Sequence, residues 1–320
     1  MIRAMRQRVI SAIKGLHRRA QAASRLRGTP KLLALTATRN EDWVLGLSLR
    51  VSLSYCDGVI IADHGSTDRT EQIIRDAQAE FPGRAIDVHR VEHAEWKEAD
   101  IRQEMLERGR RLGGTHFIIA DADEVPTGNL FPHLRSLALD MRPGCCAALP
   151  MIAPYHTSTT YRWDGPWGER SAIPWAFRDS PQLHWKISND YQIHRRSPFN
   201  AIDQGLLLTG RKRGGLFHLQ FVNKDRLQCK AAWYKMMETV TYPGKRTAAD
   251  LNKMYDWTLR EDSSMSLEAV PQDWWTPYEQ RGWLQYLAPD APAWQQFEAR
   301  KLVAQHGREQ FRGLELFGIV

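Results

Sequence analysis

The sequence predicts an α/β protein built on a doubly wound, mostly parallel sheet flanked by helices. Three observations lead there. Between residues 31 and 120, short apolar runs rich in strand formers alternate with helical stretches. Each of three such runs ends abruptly in a polar cluster. The chain has 320 residues, 42% of them hydrophobic, which is long for one small core and suits one large domain with appendages. The expected organisation is a basic amphipathic helix over 1–29, a catalytic-type domain over 30–245 with halves 30–126 and 127–245, and a helical region over 246–320.

The elements follow in order. Lys31–Thr38 reads as a buried first strand, followed by Arg39, Asn40 and Glu41 and a helix with Val44, Leu45, Leu47, Leu49 and Val51. Gly58–Ala62 is a second buried strand running into Asp63–Thr70, where Gly65 permits a tight turn and Ser66 or Thr67 caps a helix carrying Ile73 and Ile74. Ala85–Val91 is a weaker third strand. A charged helix from about Asp100 to Leu112 stops at Gly113 and Gly114, and Thr115–Ala120 is a fourth strand ending in Asp121, Ala122, Asp123 and Glu124. In open α/β sheets ligands bind beyond the carboxyl ends of strands. The clusters 39–41, 63–70 and 121–124 all fall there.

Charge is unevenly spread. The formal net charge is +7, from 44 Lys and Arg against 37 Asp and Glu. Residues 1–27 hold eight of those bases and no acid, leaving 36 bases against 37 acids elsewhere. A body so nearly neutral has little general attraction for a polyphosphate. In the first segment Ile2, Met5, Val9, Ile13, Leu16, Ala20 and Ala23 recur at helical steps opposite the bases. Such a helix suits an anionic leaflet. Docking on the protein's own body and an arm for nucleic acid are the alternatives, and Gly28, Thr29 and Pro30 end the segment. No apolar run approaches the ~20 residues that span a bilayer, and no continuous apolar core of a secretory signal is present. Cys56, Cys145, Cys146 and Cys229 show no C-x-x-C spacing, so reduced thiols and a cytoplasmic location, peripheral on the inner face of the cell membrane, are expected.

Asp121 and Asp123, two acids just past a buried strand, repel unless a proton, a cationic side chain or a metal offsets them. Hard oxygen ligands suit Mg²⁺ or Mn²⁺ bridging substrate phosphates. An Asp-capped turn is the plainer alternative. Taken together, Thr38–Glu41, Ile60–Thr70 and Phe117–Glu124 resemble the N-terminal half of family-2-type glycosyltransferases of the GT-A fold, over about residues 31–126. The resemblance implies that Thr38, Arg39, Glu41 and Asp63 border the nucleoside of a nucleotide-sugar donor, often UDP, with Asp68 bracing the loop. It implies that Asp121 faces ribose and metal, that Asp123 binds the metal, and that Arg102 approaches the diphosphate. His64 stands where that family usually has Asn or Asp.

The second half is rich in aromatic residues and poor in simple periodicity. Tyr155, Tyr161, Trp163, Trp167, Trp175, Phe177, Trp185 and Tyr191 lie among Asp164, Glu169, Asp179 and Asp190, a mixture that suits sugar binding or plain core filling. Gly214–Phe221 followed by Lys224–Tyr234 resembles the strand-then-helix segment after the D-x-D domain in some of these transferases, which implies His218 as a third metal ligand; a core histidine is the alternative. Arg226, Lys230 and Lys235 are candidates for donor phosphates, with solvation as the plainer role. For the base that deprotonates an acceptor hydroxyl, Asp164, Glu169, Asp190 and Glu238 are all candidates, and Glu169 is preferred for its loop. Helices over Leu251–Leu259, Pro277–Leu287 and Ala293–His306 complete the expectation. The function expected is metal-dependent transfer of a sugar from a nucleotide donor to a hydroxyl acceptor, a lipid-linked or envelope glycan. A modified-DNA acceptor, or nucleotide-sugar binding without catalysis, are the alternatives.

A peptide of residues 1–27 is expected to bind anionic vesicles with an affinity that falls as salt rises, and to bind duplex DNA more weakly. Tighter binding to DNA throughout a titration from low to high salt would replace the membrane reading with the nucleic-acid one.

Overall fold

The computed structural model describes residues 29–92, 97–164, 167–186, 196–208, 210, 212–256, 259 and 265–320, with backbone alone at 168–170. The expected helix over 1–27 and the candidate Asp190 lie outside these residues.

The first half alternates as its hydrophobic pattern requires. β1 (Leu32–Thr38) leads to α1 (Leu45–Tyr55), β2 (Gly58–Asp63) to α2 (Thr70–Glu80), and β3 (Ala85–Arg90) to α3 (Glu98–Arg111), before β4 (His116–Ile119). The four strands lie in the order β4-β1-β2-β3, every pair parallel. Successive strand side chains point to opposite faces. Leu32, Ala34, Val59 and Ile61 therefore pack with Leu45, Leu49 and Ile74 on one side. Leu33, Leu35, Ile60 and Ala62 meet Ile101, Met105 and Leu106 of α3 on the other. Burial on both faces is why these strands read as continuous apolar runs.

Beyond β4 come β5 (Glu124–Pro126), α4 (Leu134–Leu139), β6 (Cys145–Pro154), β7 (Thr160–Arg162), β8 (Gly168–Arg178), β9 (Ile202–Leu206) and β10 (Leu216–His218). The chain closes with α5 (Lys224–Thr241), α6 (Ala248–Tyr255), β11 (Leu267–Ala269), α7 (Thr276–Gln280) and α8 (Trp294–His306). Here the sheet becomes mixed. β8 inserts antiparallel to both β4 and β6, giving the path β11-β7-β6-β8-β4-β1-β2-β3. Antiparallel neighbours need no helical crossover, so this half lacks the strand–helix rhythm of the first. Prolines at 150, 154 and 174 and register shifts at Ala147/Ala148 and Pro150/Met151 hide the strands from a periodicity reading. The α/β class stands, with its parallel part confined to the first half and to the pairs that β6 makes with β9 and β10.

The aromatic residues of the second half mostly fill core. Tyr161, Trp175 and Phe177 are fully buried, and Trp163, Trp167 and Trp185 nearly so. Toward the C-terminus α8 matches the helix expected over Ala293–His306, whereas α6 ends at Tyr255, and 277–287 divides into α7 and a 3-10 turn at Trp283–Tyr286, separated by Gly282 at φ +66°. α6 starts from a capping box in which the Thr247 side chain accepts from the Asp250 amide and Asp250 accepts in return. Among the described residues no helix is long and apolar enough to cross a membrane. The cysteines are free and buried.

β10 is the piece that carries chemistry from the second half to the first. It runs antiparallel to β5 and parallel to β6, so His218 sits in register with Glu124. Entry to it demands glycine: Gly214 turns with φ +95°, and a Cβ on Gly215 would stand 2.2 Å from the Pro150 carbonyl oxygen. Gly215→Ala is expected to destabilise the protein by about 2–4 kcal/mol, read as a lowered urea midpoint. An unchanged midpoint would mean that β10 is not wedged between its neighbours as described.

Candidate functional site

The switch point of the sheet lies between β1 and β4, where the strand order reverses, and the polar ends of both strands open there. The turn after β1 is tied to the loop after β2. The Asn40 amide donates to Ser66 Oγ at 2.9 Å, and Asn40 Oδ1 accepts from the Thr67 amide at 2.7 Å. Asp68 braces both segments, accepting from the amides of Asp42 at 2.9 Å and Thr70 at 3.0 Å. Asp63 accepts from the Ser66 amide at 3.0 Å, shaping its own loop.

After β4 three carboxylates are packed into four residues, and each meets a cation. Arg102 of α3 reaches Asp121 Oδ1 at 3.0 Å and Oδ2 at 3.3 Å while its Nε donates to Glu98 at 2.7 Å. Arg196 donates to Asp121 Oδ2 at 2.7 Å, to both oxygens of Glu124, and to the carbonyls of Ile119 and Pro174. Asp123 Oδ2 lies 3.5 Å from Lys230 Nζ on α5 and 3.6 Å from His218 Nε2. Burial pushes these acids up, and the cations answer it. For Asp121, Arg102 and then Arg196 hold the carboxyl below its ordinary value. For Asp123, Lys230 and His218 hold it far below. Glu124 remains raised by burial despite Arg196.

These groups line one cavity of about 510 Å³, within the range of sites for small ligands. Thr38, Arg39 and Glu41 enter from the end of β1 and the turn after it, Glu98 and Arg102 from α3, and Asp121–Glu124 from the turn after β4 and the start of β5. His218, Phe221, Lys230, Trp233 and Tyr234 enter from β10 and α5, Met254 and Tyr255 from α6, and Trp294 and Gln295 from α8. Of the residues expected from the sequence, Thr38, Arg39, Glu41, Arg102, Asp121, Asp123, His218 and Lys230 are brought together. Others are not. Asp63 is buried in its loop, outside the lining. Both oxygens of Asp164 are held by Arg162 at 3.0–3.2 Å, away from the cavity. Glu238 is buried against Arg246. Glu169 is described by backbone only. Lys235 is fully buried beside Asp256 at 2.7 Å, and Arg226 lies over the Trp43 ring at 4.2 Å, so neither of these bases is simply solvated.

Sequence reasoning missed Arg196, Glu98, and the aromatic wall from α5, α6 and α8. An arginine in a loop with no motif around it carries no spacing signal, and nothing in the sequence says which of the many tryptophans turn toward the ligand.

Whether these side chains suit a divalent ion follows from their donors. Among the described residues no group of three or more His, Cys, Asp or Glu side chains is placed to hold a metal. Among these residues a cage made wholly of protein therefore does not fit. An ion that keeps its waters and takes phosphate oxygens needs only one or two protein donors, and Asp123 Oδ2 with His218 Nε2 provide two facing the cavity. Asp121 is committed to two guanidiniums instead.

No family model matches the chain, and no curated protein does. Several solved structures resemble it weakly. TarS of S. aureus (residues 1–349) aligns over 88% of this chain and 90% of its own, at 13% identity and a TM-score of 0.38. The mannosyltransferase PcManGT of Pyrobaculum calidifontis, solved with GDP-Man and Mn²⁺, aligns over 88% and 77%, at 13% identity and 0.36. GalNAc-T7, solved with UDP, GalNAc and Mn²⁺, aligns over 73% and 57%, at 12% identity and 0.29. No activity follows from likenesses of this size.

Glu41 is a cavity group that titrates near neutrality. Burial first, then the charge of Asp123, raise its pKa to about 7 against the pull of Lys230, the Trp43 indole and Arg226. A carboxyl whose pKa is higher folded than unfolded favours the folded state only while protonated. Stability should therefore fall as pH rises from about 4.5 to about 7, then level off. Relative to Glu41→Gln, which cannot ionise, the wild type is expected to lose on the order of 2–3 kcal/mol over that window. Chemical denaturation of both proteins in EDTA buffer from pH 4.5 to 8.5 measures this; parallel stability curves would show that Glu41 ionises freely.

Proposed function

We propose that the chain is a glycosyltransferase that moves a sugar from a nucleoside-diphosphate donor, with UDP the favoured carrier, to a hydroxyl acceptor. The acceptor we favour is a lipid-linked or envelope glycan at the cytoplasmic membrane face, a choice that rests on the basic segment 1–27. One observation carries the transfer reading: paired acids at the switch point share a cavity with Lys230 and His218, so one crevice offers both donors for a divalent cation and a cation for phosphate.

The roles follow from the contacts. Asp123 and His218 would hold Mn²⁺ or Mg²⁺, which when bound neutralises charge developing on the leaving diphosphate. Lys230 meets Asp123 through a single contact of 3.5 Å and would serve the phosphates directly. Arg102 and Arg196 hold Asp121 and Glu124 rigid, which keeps the chain between them, and Asp123 on it, in a fixed place. Phe221, Trp233, Tyr234 and Tyr255 wall the site and limit water, which would otherwise compete with the acceptor. For the base, Glu169 remains our choice: it follows Gly168, which pairs across the sheet with Met151, a residue of the cavity wall.

Asp123→Ala is expected to lower Mn²⁺-dependent hydrolysis or transfer of nucleotide sugars by about 100-fold or more. The assay uses UDP-, GDP- and dTDP-sugars, with a melting curve to confirm folding. Undiminished turnover would sink the reading, and a wild type that binds nucleotide sugars yet turns over none of them would be a binding protein instead.

A further inference from the structure

We propose that Trp294 and Gln295, in the first turn of α8, complete the pocket for the donor's nucleoside, and that Gln295 reads a ring N–H of the base. This rests on the donor reading above and assigns to the C-terminal region a specificity that neither the sequence motifs nor the acid cluster supplies.

The cavity wall contributed by α8 carries buried polar atoms. Gln295 is 4% exposed and its Oε1 has no protein partner; Thr38, at the end of β1, is 2% exposed and its Oγ1 has none either. Arg39 Nε and Trp294 Nε1 are likewise buried without a protein partner. All four side chains line the same cavity. The Arg39 guanidinium sits 5.1 Å from the centre of the Trp294 ring, which joins the start of α8 to the turn after β1. Buried polar atoms left unpaired are costly, and a group of them on residues that line one cavity points to a ligand that supplies the missing partners.

The chemistry of the group selects the ligand. Arg39 Nε and Trp294 Nε1 donate, Gln295 Oε1 accepts, and the Thr38 hydroxyl does either. A diphosphate offers acceptors only and leaves the glutamine oxygen unpaired. A flat heterocycle with donors and acceptors around its edge answers all four, and the indole rings of Trp294 and Trp233, 4.8 Å apart and edge to face, provide flat apolar surface beside them. An amide oxygen requires an N–H from that edge. Uracil, thymine and guanine carry a ring N–H; cytosine and adenine carry a bare ring nitrogen in its place and offer N–H only from the exocyclic amino group beside it. An amide oxygen placed at the ring position, as assigned to Gln295, therefore favours the first group over the second.

The test is equilibrium binding of UDP, GDP, CDP, ADP and pyrophosphate to the full chain with Mn²⁺ present, for wild type, Gln295→Met and Trp294→Phe. The wild type should bind UDP or GDP about tenfold or more tighter than CDP and ADP. Gln295→Met should erase most of that preference and leave pyrophosphate affinity unchanged; Trp294→Phe, which keeps a ring and removes the N–H, should weaken nucleotides severalfold and spare pyrophosphate. A preference that survives in Gln295→Met overturns the inference, as does a wild type that prefers CDP or ADP. Parallel loss of UDP and pyrophosphate also overturns it, since the residue would then act through the shape of the cavity. A wild type that binds none of the nucleotides overturns the donor reading itself, whereas nucleotide binding indifferent to both variants overturns only the role of α8.

Discussion

The structure turns on Asp121, Asp123 and Glu124, three carboxylates within four residues at the end of one strand, the last two buried and Asp121 partly so. Carboxylates so close and so largely withdrawn from water are sustainable only where positive charge is brought to each. Arg102 comes from α3, Arg196 from the loop before β9, Lys230 from α5 and His218 from β10. Elements far apart in sequence are thus pinned to one point. The arrangement of the second half, with β10 wedged between β5 and β6, is what delivers two of those groups.

The two aspartates are not equivalent. Asp121 is gripped on both oxygens by guanidiniums that themselves hold Glu98 and Glu124, so it belongs to a rigid network. Asp123 meets only longer contacts, from an ammonium at 3.5 Å and an imidazole at 3.6 Å. A network fixed at one acid and loosely met at the next is suited to presenting the second to a ligand while the first keeps the backbone still.

Much of this was legible in the sequence, and the boundary is physical. Parallel strands buried on both faces announce themselves as apolar runs, and a functional crevice lies at their carboxyl ends, so Thr38, Arg39, Glu41, Asp121 and Asp123 could be placed together from the chain alone. β6 and β8 could not, because prolines and register shifts interrupt their alternation and their aromatic residues serve the core. Arg196 was invisible for another reason: its role depends on where a loop folds back across 72 residues to Glu124. Asp164 and Lys235 show the converse, charged residues whose partners, Arg162 and Asp256, remove them from the site.

The C-terminal region deserves to be weighed with the sheet rather than as an appendage. The α5–α6–α8 group contributes the aromatic wall, and its burial depends on contacts such as Tyr234 stacked on Tyr255 at 5.5 Å and Trp233 against Trp294 at 4.8 Å. Without that wall the cavity would be an open sheet edge, its charges screened by water and weak at a distance. With it, the same charges act in a partly dehydrated space, where electrostatic interactions are stronger and where unpaired polar atoms such as Gln295 Oε1 discriminate between ligands rather than settling for solvent. The sheet sets where the chemistry is possible; the helices that close over it determine how strongly and for which ligand it operates.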